Sequence, residues 1–178
     1  MKLKLSFAIT VLAAGLLISP KWKADTAKSQ VNFTVKGPFG TVHGKFSGLK
    51  ADLNFNPKDL SGSTVSASID AKTVSTGIGL RNRDLRKKEE WLNTDKYPLI
   101  SFKSTKIEKK GNGYVAIGDL KLKDKTKQVE IPFTFTGKGN TGSFKGTFVI
   151  KREDFGVGKP GGTVGNEITI NLLVPVKK

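Results

Sequence analysis

Residues able to do chemistry are few in this chain of 178. There is one histidine, His43, and no cysteine, which removes histidine-rich metal sites and a thiolate nucleophile. The alternation around His43 gives it the parity of outward-facing positions, so it reads as a surface residue and not as a general base. The carboxylates Asp70, Asp84, Asp95, Asp119, Asp124 and Asp154 are not paired at a spacing suited to acid–base work. Only Asp84 or Asp154, each close to an arginine, would serve a lipid-modifying enzyme. Asp154-Phe155-Gly156 spells a kinase tripeptide, but the glycine-rich loop, strand lysine and catalytic loop that give it meaning are missing. Gly156-x-Gly158 and Gly161-Gly162 lie between two strand-like segments and not before a helix, which makes them turn glycines. The chain therefore reads as a non-enzyme, with no catalytic residue, metal or cofactor expected.

What the residues do specify is a set of elements with one greasy face. Val31/Phe33/Val35, Val65/Ala67/Ile69, Val129/Ile131/Phe133/Phe135, Phe144/Gly146/Phe148/Ile150 and Ile168/Ile170/Leu172/Val174/Val176 each skip one residue at a time. Side chains alternate across a strand, so each run puts one face in an apolar interior. One-sided burial is the mark of an antiparallel sheet. Seven of the eleven phenylalanines (Phe33, Phe46, Phe55, Phe102, Phe133, Phe135 and Phe148) fall at such positions. Almost no helix is available to cover them, so the sheet must close on itself. The predicted strands run near 29–36, 40–56, 63–72, 99–108, 113–123, 127–137, 142–152 and 166–176, after a short edge piece near Trp22. Turn residues separate them, as in Gly37-Pro38, Asn56-Pro57 and Gly111-Asn112-Gly113.

Two strands change parity beside a glycine. Val42/Gly44/Phe46 gives way to Leu49/Ala51/Leu53/Phe55 across Ser47-Gly48, and Val115/Ile117 to Leu120/Leu122 across Gly118. Such slips predict bulges or bends that curl long strands around a barrel. Thr76–Pro98 breaks the strand pattern: Leu80, Leu85, Trp91 and Leu92 among many charges predict an amphipathic helix that plugs one barrel end.

Lys2 and Lys4 precede an uncharged stretch, Leu5–Ile18, ended by Ser19-Pro20-Lys21. This length is short for a membrane span and fits a secretory signal. The expected division is a signal peptide over 1–19 and one barrel domain over 20–178, with the mature chain starting between about residues 19 and 25. A mean hydropathy of −0.27 suits a soluble domain. The formal net charge is +16, and removing residues 1–19 takes off Lys2 and Lys4 and leaves +14. An anionic membrane surface is thus a candidate partner. Nucleic acid is disfavoured, because a reader of single strands wants aromatics on the basic outer face and here they lie on the opposite parity.

Several segments together resemble one family, the YceI-like proteins. Trp22-Lys23-Ala24-Asp25 with Ser29-Gln30-Val31-Asn32-Phe33-Thr34-Val35 is similar to the family's opening, and Gly44-Lys45-Phe46 to its G-x-F element. Thr76-Gly77 with Arg83-Asp84-Leu85 resembles T-G-n-R-D-x-L, and Tyr97-Pro98-Leu99-Ile100-Ser101-Phe102-Lys103-Ser104 resembles Y-P-x-I-x-F-x-S. Gly118-Asp119-Leu120, Thr126-Lys127-Gln128-Val129 and Pro132 follow in order, and Arg152-Glu153-Asp154-Phe155-Gly156 resembles R-x-D-F-G. Trp91 stands where the family commonly has a smaller aromatic in a D-F-F-type piece. The resemblance implies an all-β, extended eight-stranded antiparallel barrel, lipocalin-like, holding an isoprenoid chain in the bacterial periplasm, or as a secreted protein.

Phe33, Phe46, Ile69, Phe102, Ile117, Phe133, Phe135 and Phe148 are the candidate lining, with Leu85 and Trp91 at the mouth. The expected cargo is a prenyl phosphate or a quinone-like chain, and a homodimer is compatible with the sequence. The competing reading is a cationic envelope adaptor whose barrel is solid. Arg152 and Asp154 are expected to pair with each other or with Arg83 and Asp84.

Overall fold

The computed structural model describes residues 21–178, so the export segment read over 1–19 lies outside the described residues. The chain forms β1 (Lys21–Ala24), β2 (Gln30–Gly37), β3 (Gly40–Phe46), β4 (Lys50–Asn54), β5 (Thr64–Asp70), α1 (Gly79–Lys87), β6 (Leu99–Lys110), β7 (Gly113–Leu122), β8 (Lys125–Lys138), β9 (Thr141–Lys151) and β10 (Glu167–Lys177). Every pairing between these strands is antiparallel. Eight of them close a ring in the order β1-β4-β5-β6-β7-β8-β9-β10 and back to β1. The barrel is thus closed, and a closed sheet leaves no edge at that level.

The β2–β3 hairpin extends the wall above the ring. β10 pairs Val176 and Lys177 with β1 but Ile168–Leu173 with β2, so β1 and β2 are two lengths of one path. β3 and β4 are likewise one path broken at Ser47-Gly48-Leu49, where Gly48 takes φ +76°, a conformation that favours glycine. The parity slip at Ser47-Gly48 marks this bend. The Trp22 segment differs from its reading as an edge: β1 is the stave that joins β4 to β10.

The second slip belongs to the neighbouring strand. The register jump lies in β6, where Ser104 faces Gly118 and Lys106 faces Ile117, leaving Thr105 unpaired. β7 keeps one parity throughout. Gly118 is required because a Cβ there would lie 2.3 Å from the Lys103 carbonyl oxygen.

The wall is complete at one end only. β8 pairs with β9 over Phe133–Lys138 and Thr141–Gly146 alone, so Lys125–Pro132 and Thr147–Lys151 diverge. β3 likewise diverges from β5. The first gap is filled by the 3-10 turn Arg152–Phe155, the second by Ala71–Thr73 and the segment leading to α1. A bridge between Lys45 and Ser75 ties that segment to β3. The helix is shorter than the Thr76–Pro98 interval, and the loop after it, with Trp91 and Leu92, completes the cap.

Candidate functional site

The closed end of the barrel is solid. Phe55 is fully buried and is ringed by Tyr114, Phe133, Phe135 and Phe144, with centroids 4.9, 5.5, 5.2 and 5.4 Å away. Their edge-on geometry suits the ring quadrupoles. Trp22 seals the base: its Nε1–H donates to the Phe55 carbonyl at 3.1 Å and its ring meets Phe135 edge-on at 5.2 Å. Phe135 rests over Gly137 and Gly142, where a Cβ would stand 2.7 and 2.9 Å from its ring.

Above this plug the barrel is hollow. A cavity of about 270 Å³ lies in the mouth half, with essentially no polar surface. Phe33, Phe46, Ile69, Phe102 and Phe148 form its walls, Phe133 its floor, and Leu85 and Trp91 its roof. Of the ten residues named from sequence, two are elsewhere. Phe135 belongs to the closed-end plug, and Ile117 faces outward between Lys106 and Glu130, because β7 presents Ala116, Leu120 and Leu122 inward instead. The room itself comes from residues that the alternation placed on inward faces but that were not named as lining. Ala51 and Ala67 face each other across β4 and β5 and both line the cavity. Alanines at inward positions among large neighbours are the signal that could have found them.

Polar chemistry stays outside this space. The one guanidinium among the residues lining the cavity, that of Arg152, is 2 % exposed and its donors are spent. Nε donates to Gly165 O at 3.0 Å, Nη1 to Val157 O at 2.8 Å, and Nη2 to Val164 O at 2.7 Å and Glu153 Oε1 at 3.2 Å. Lys159 O accepts from both Nη atoms at 3.3 Å. Its carboxylate partner is thus Glu153; Asp154, the expected partner, is exposed. Arg152 organises the 156–165 loop around itself, and Gly158 (φ +72°) passes so close that a Cβ would meet Arg152 Nη1 and the Trp91 ring.

Two further contacts fix the mouth. Lys123 donates to Glu89 O at 2.9 Å and Gly156 O at 2.8 Å, joining both loops of the cap, and burial pulls its ammonium below the ordinary lysine range. Asn82 Oδ1 accepts from Thr76 N and Oγ1 at 2.7 and 2.8 Å, while Arg86 donates to Val74 O at 2.7 Å. Asp84 faces the solvent side of α1, with Lys88 2.9 Å away. Neither Asp84 nor Asp154 touches the cavity, and among the described residues no three His, Cys, Asp or Glu side chains gather at metal-binding distance.

A closed antiparallel barrel, plugged with aromatics at one end and hollow and apolar at the other, is the architecture of a container. The YceI-like domain model matches residues 22–175, and the chain belongs to that family. It is similar to a "UPF0312 protein" of Yersinia pestis, 29% identical over 181 residues, covering 97% of this chain and 94% of the relative. Among solved structures it resembles BcnA of Burkholderia cenocepacia, with a TM-score of 0.80 and 29% identity over 85% of this chain and 98% of that one. The fold is shared by a domain from Saccharophagus degradans described as polyisoprenoid binding and implicated in plant cell wall breakdown. That likeness has a TM-score of 0.68 and 13% identity over 88% of this chain and 97% of that one.

Proposed function

We propose that the protein is a non-enzymatic carrier that sequesters an isoprenoid-type lipid chain in the mouth half of its barrel, in the periplasm or as a secreted protein. The observation that carries this reading is the cavity of about 270 Å³ with no polar surface. Left empty, such a volume costs on the order of 6 kcal/mol at roughly 24 cal/mol per Å³. That is comparable to the whole stability of a typical domain. An apolar chain removes this cost and adds transfer free energy. A few hundred Å² of buried chain contributes on the order of 5–10 kcal/mol before ordering costs. The fold shared with a domain described as polyisoprenoid binding supports the same class of cargo.

The chemistry of the roof narrows the cargo further. Every donor of Arg152, the one arginine lining the cavity, is engaged within the protein, so a phosphate drawn into the cavity would gain no bond from that guanidinium and would lose its hydration. The chain enters; a charged headgroup stays in the mouth or outside. A quinone-like or otherwise neutral terminus is compatible with complete entry.

Organic extraction of protein purified from its own envelope, followed by mass spectrometry, tests this directly. An isoprenoid-type lipid in stoichiometric amount is the expected result. A protein that carries no lipid and takes up none from prenol-loaded micelles overturns the proposal. Paired variants add a readout of place. Phe148→Trp fills the lumen and should cut uptake while the melting temperature holds. Phe133→Trp overfills the packed floor and should cost about 1–3 kcal/mol.

A further inference from the structure

Four of the five strongly exposed large apolar side chains among the described residues stand at the mouth. Phe39 is fully exposed, Ile78, Leu80 and Leu99 are roughly half exposed, and only Val149 lies on the outer wall. The strand registers put the four at one end. Phe39 is at the apex of the β2–β3 hairpin, above Val35, which pairs with Ile168 near the start of β10. Leu99 pairs with Asp70, the last residue of β5. The Lys45–Ser75 bridge is antiparallel, so the chain from Ser75 to Ile78 runs back along β3 toward the hairpin apex, and Leu80 follows in α1. At the opposite end Trp22, Phe55 and Phe135 turn inward.

We propose that the mouth end docks on an anionic lipid bilayer, with Phe39 seated at the boundary between headgroups and acyl chains. The four apolar side chains are spread over three separate elements, Phe39 at a hairpin apex, Ile78 and Leu80 at a helix start and Leu99 at a strand start. They form no groove that a folded partner would fill, but a fluid phase needs no matching shape. Exposed Lys36, Arg81 and Lys159 flank them, which is the composition of an interfacial anchor. The net charge of +14 left without Lys2 and Lys4 brings the protein to an anionic surface, while the apolar apex decides which end arrives. The mouth then opens toward the membrane. This surface is separate from the cavity, and its test does not depend on lipid being carried.

Purified protein is sedimented with vesicles of mixed phosphatidylglycerol and phosphatidylcholine, and with phosphatidylcholine alone. Binding is expected on the anionic vesicles and should fall as salt rises. Phe39→Ser, at a site where nothing packs, should leave the melting temperature unchanged and weaken partitioning about tenfold. Phe39→Trp should add an indole emission that shifts to the blue on anionic vesicles, read as the difference from wild type with its Trp22 and Trp91. Lys36→Glu beside the apex should weaken binding more than Lys138→Glu at the closed end, where Lys138 is exposed and pairs with Thr141, although each changes the net charge equally. Docking is overturned if Phe39→Ser binds as wild type does, or if the added tryptophan keeps its aqueous emission on bound protein. It is also overturned if Phe39 instead mediates a concentration-dependent dimer that ignores vesicles.

Discussion

The same staves build two different interiors. At the closed end the ring of eight is unbroken, and Trp22 meets Phe135, and Phe55 meets Tyr114, Phe133, Phe135 and Phe144, edge to face. In the mouth half the wall parts twice, between β8 and β9 and between β3 and β5, and the gaps are closed by turns and loops. There the inward positions include Ala51 and Ala67, and the space they leave is the cavity. Stability and binding capacity are thus segregated along the barrel axis. One end can be packed to native density because the other is excused from it.

The largest test of that segregation is to hollow the solid end. Phe55→Ala should cost about 3–5 kcal/mol, because the site is ringed by rigid aromatics that cannot collapse into the gap. For a domain of this size that lowers the melting temperature on the order of 10 °C. Phe148→Ala, which removes a ring already facing a cavity, should cost roughly half as much, since fewer packing contacts are lost. Equal losses in thermal or urea unfolding would mean that the two halves do not differ.

This division was only partly legible in the sequence. Alternation over β2, β5, β8, β9 and β10 identified the inward faces, and the Ser47-Gly48 bend was visible because a glycine interrupts the parity. Alternation failed where the cause lay on the neighbouring strand. Val115 and Ile117 look inward-facing, but Val115 stands in register with Glu108 and Pro132, and Ile117 with Lys106 and Glu130. The glycine at 118 records the close approach of the β6 bulge and not a bend of its own strand. Phe133 and Phe135 have identical local patterns, yet one floors the cavity and the other lies within the plug. Their depth along the axis depends on strand stagger, which no single strand encodes. Arg152 was visible as part of a motif, but its acceptors are backbone carbonyls, which carry no sequence signature.

A smaller effect should separate the mouth from the plug. Arg152→Met keeps much of the side-chain volume but strands the carbonyls of Val157, Lys159, Val164 and Gly165 in a poorly hydrated roof. A loss of about 2–3 kcal/mol is expected. Protease sensitivity should appear within 156–165 while the near-ultraviolet signal of the closed-end aromatics persists. Arg152→Lys should not rescue it, because an ammonium has neither the reach nor the number of donors. Asp154→Ala is the comparison: its side chain is exposed, and the change should stay within about 0.5 kcal/mol. A large loss from Asp154→Ala with little from Arg152→Met would reverse the assignment of the two residues.

The smallest effect is electrostatic and confined to α1. The Lys88 hydrogen bond holds the Asp84 carboxyl below its ordinary range, with help from Arg83. The folded state therefore resists protonation of Asp84 more than the unfolded chain does. The pair contributes fully above the ordinary carboxylate range, and the contribution is lost as pH falls through the lowered value. Because both side chains face water the effect is modest and screened by salt. Amide exchange in Asn82–Lys88, corrected for its intrinsic pH dependence, should quicken in acid, and Asp84→Asn should abolish that response. Closed-end amides in β1 and β4 should show neither change, because no member of this pair reaches the plug. Matching responses at both ends would mean that α1 opens only with the whole barrel, and that the mouth does not move independently of the wall beneath it.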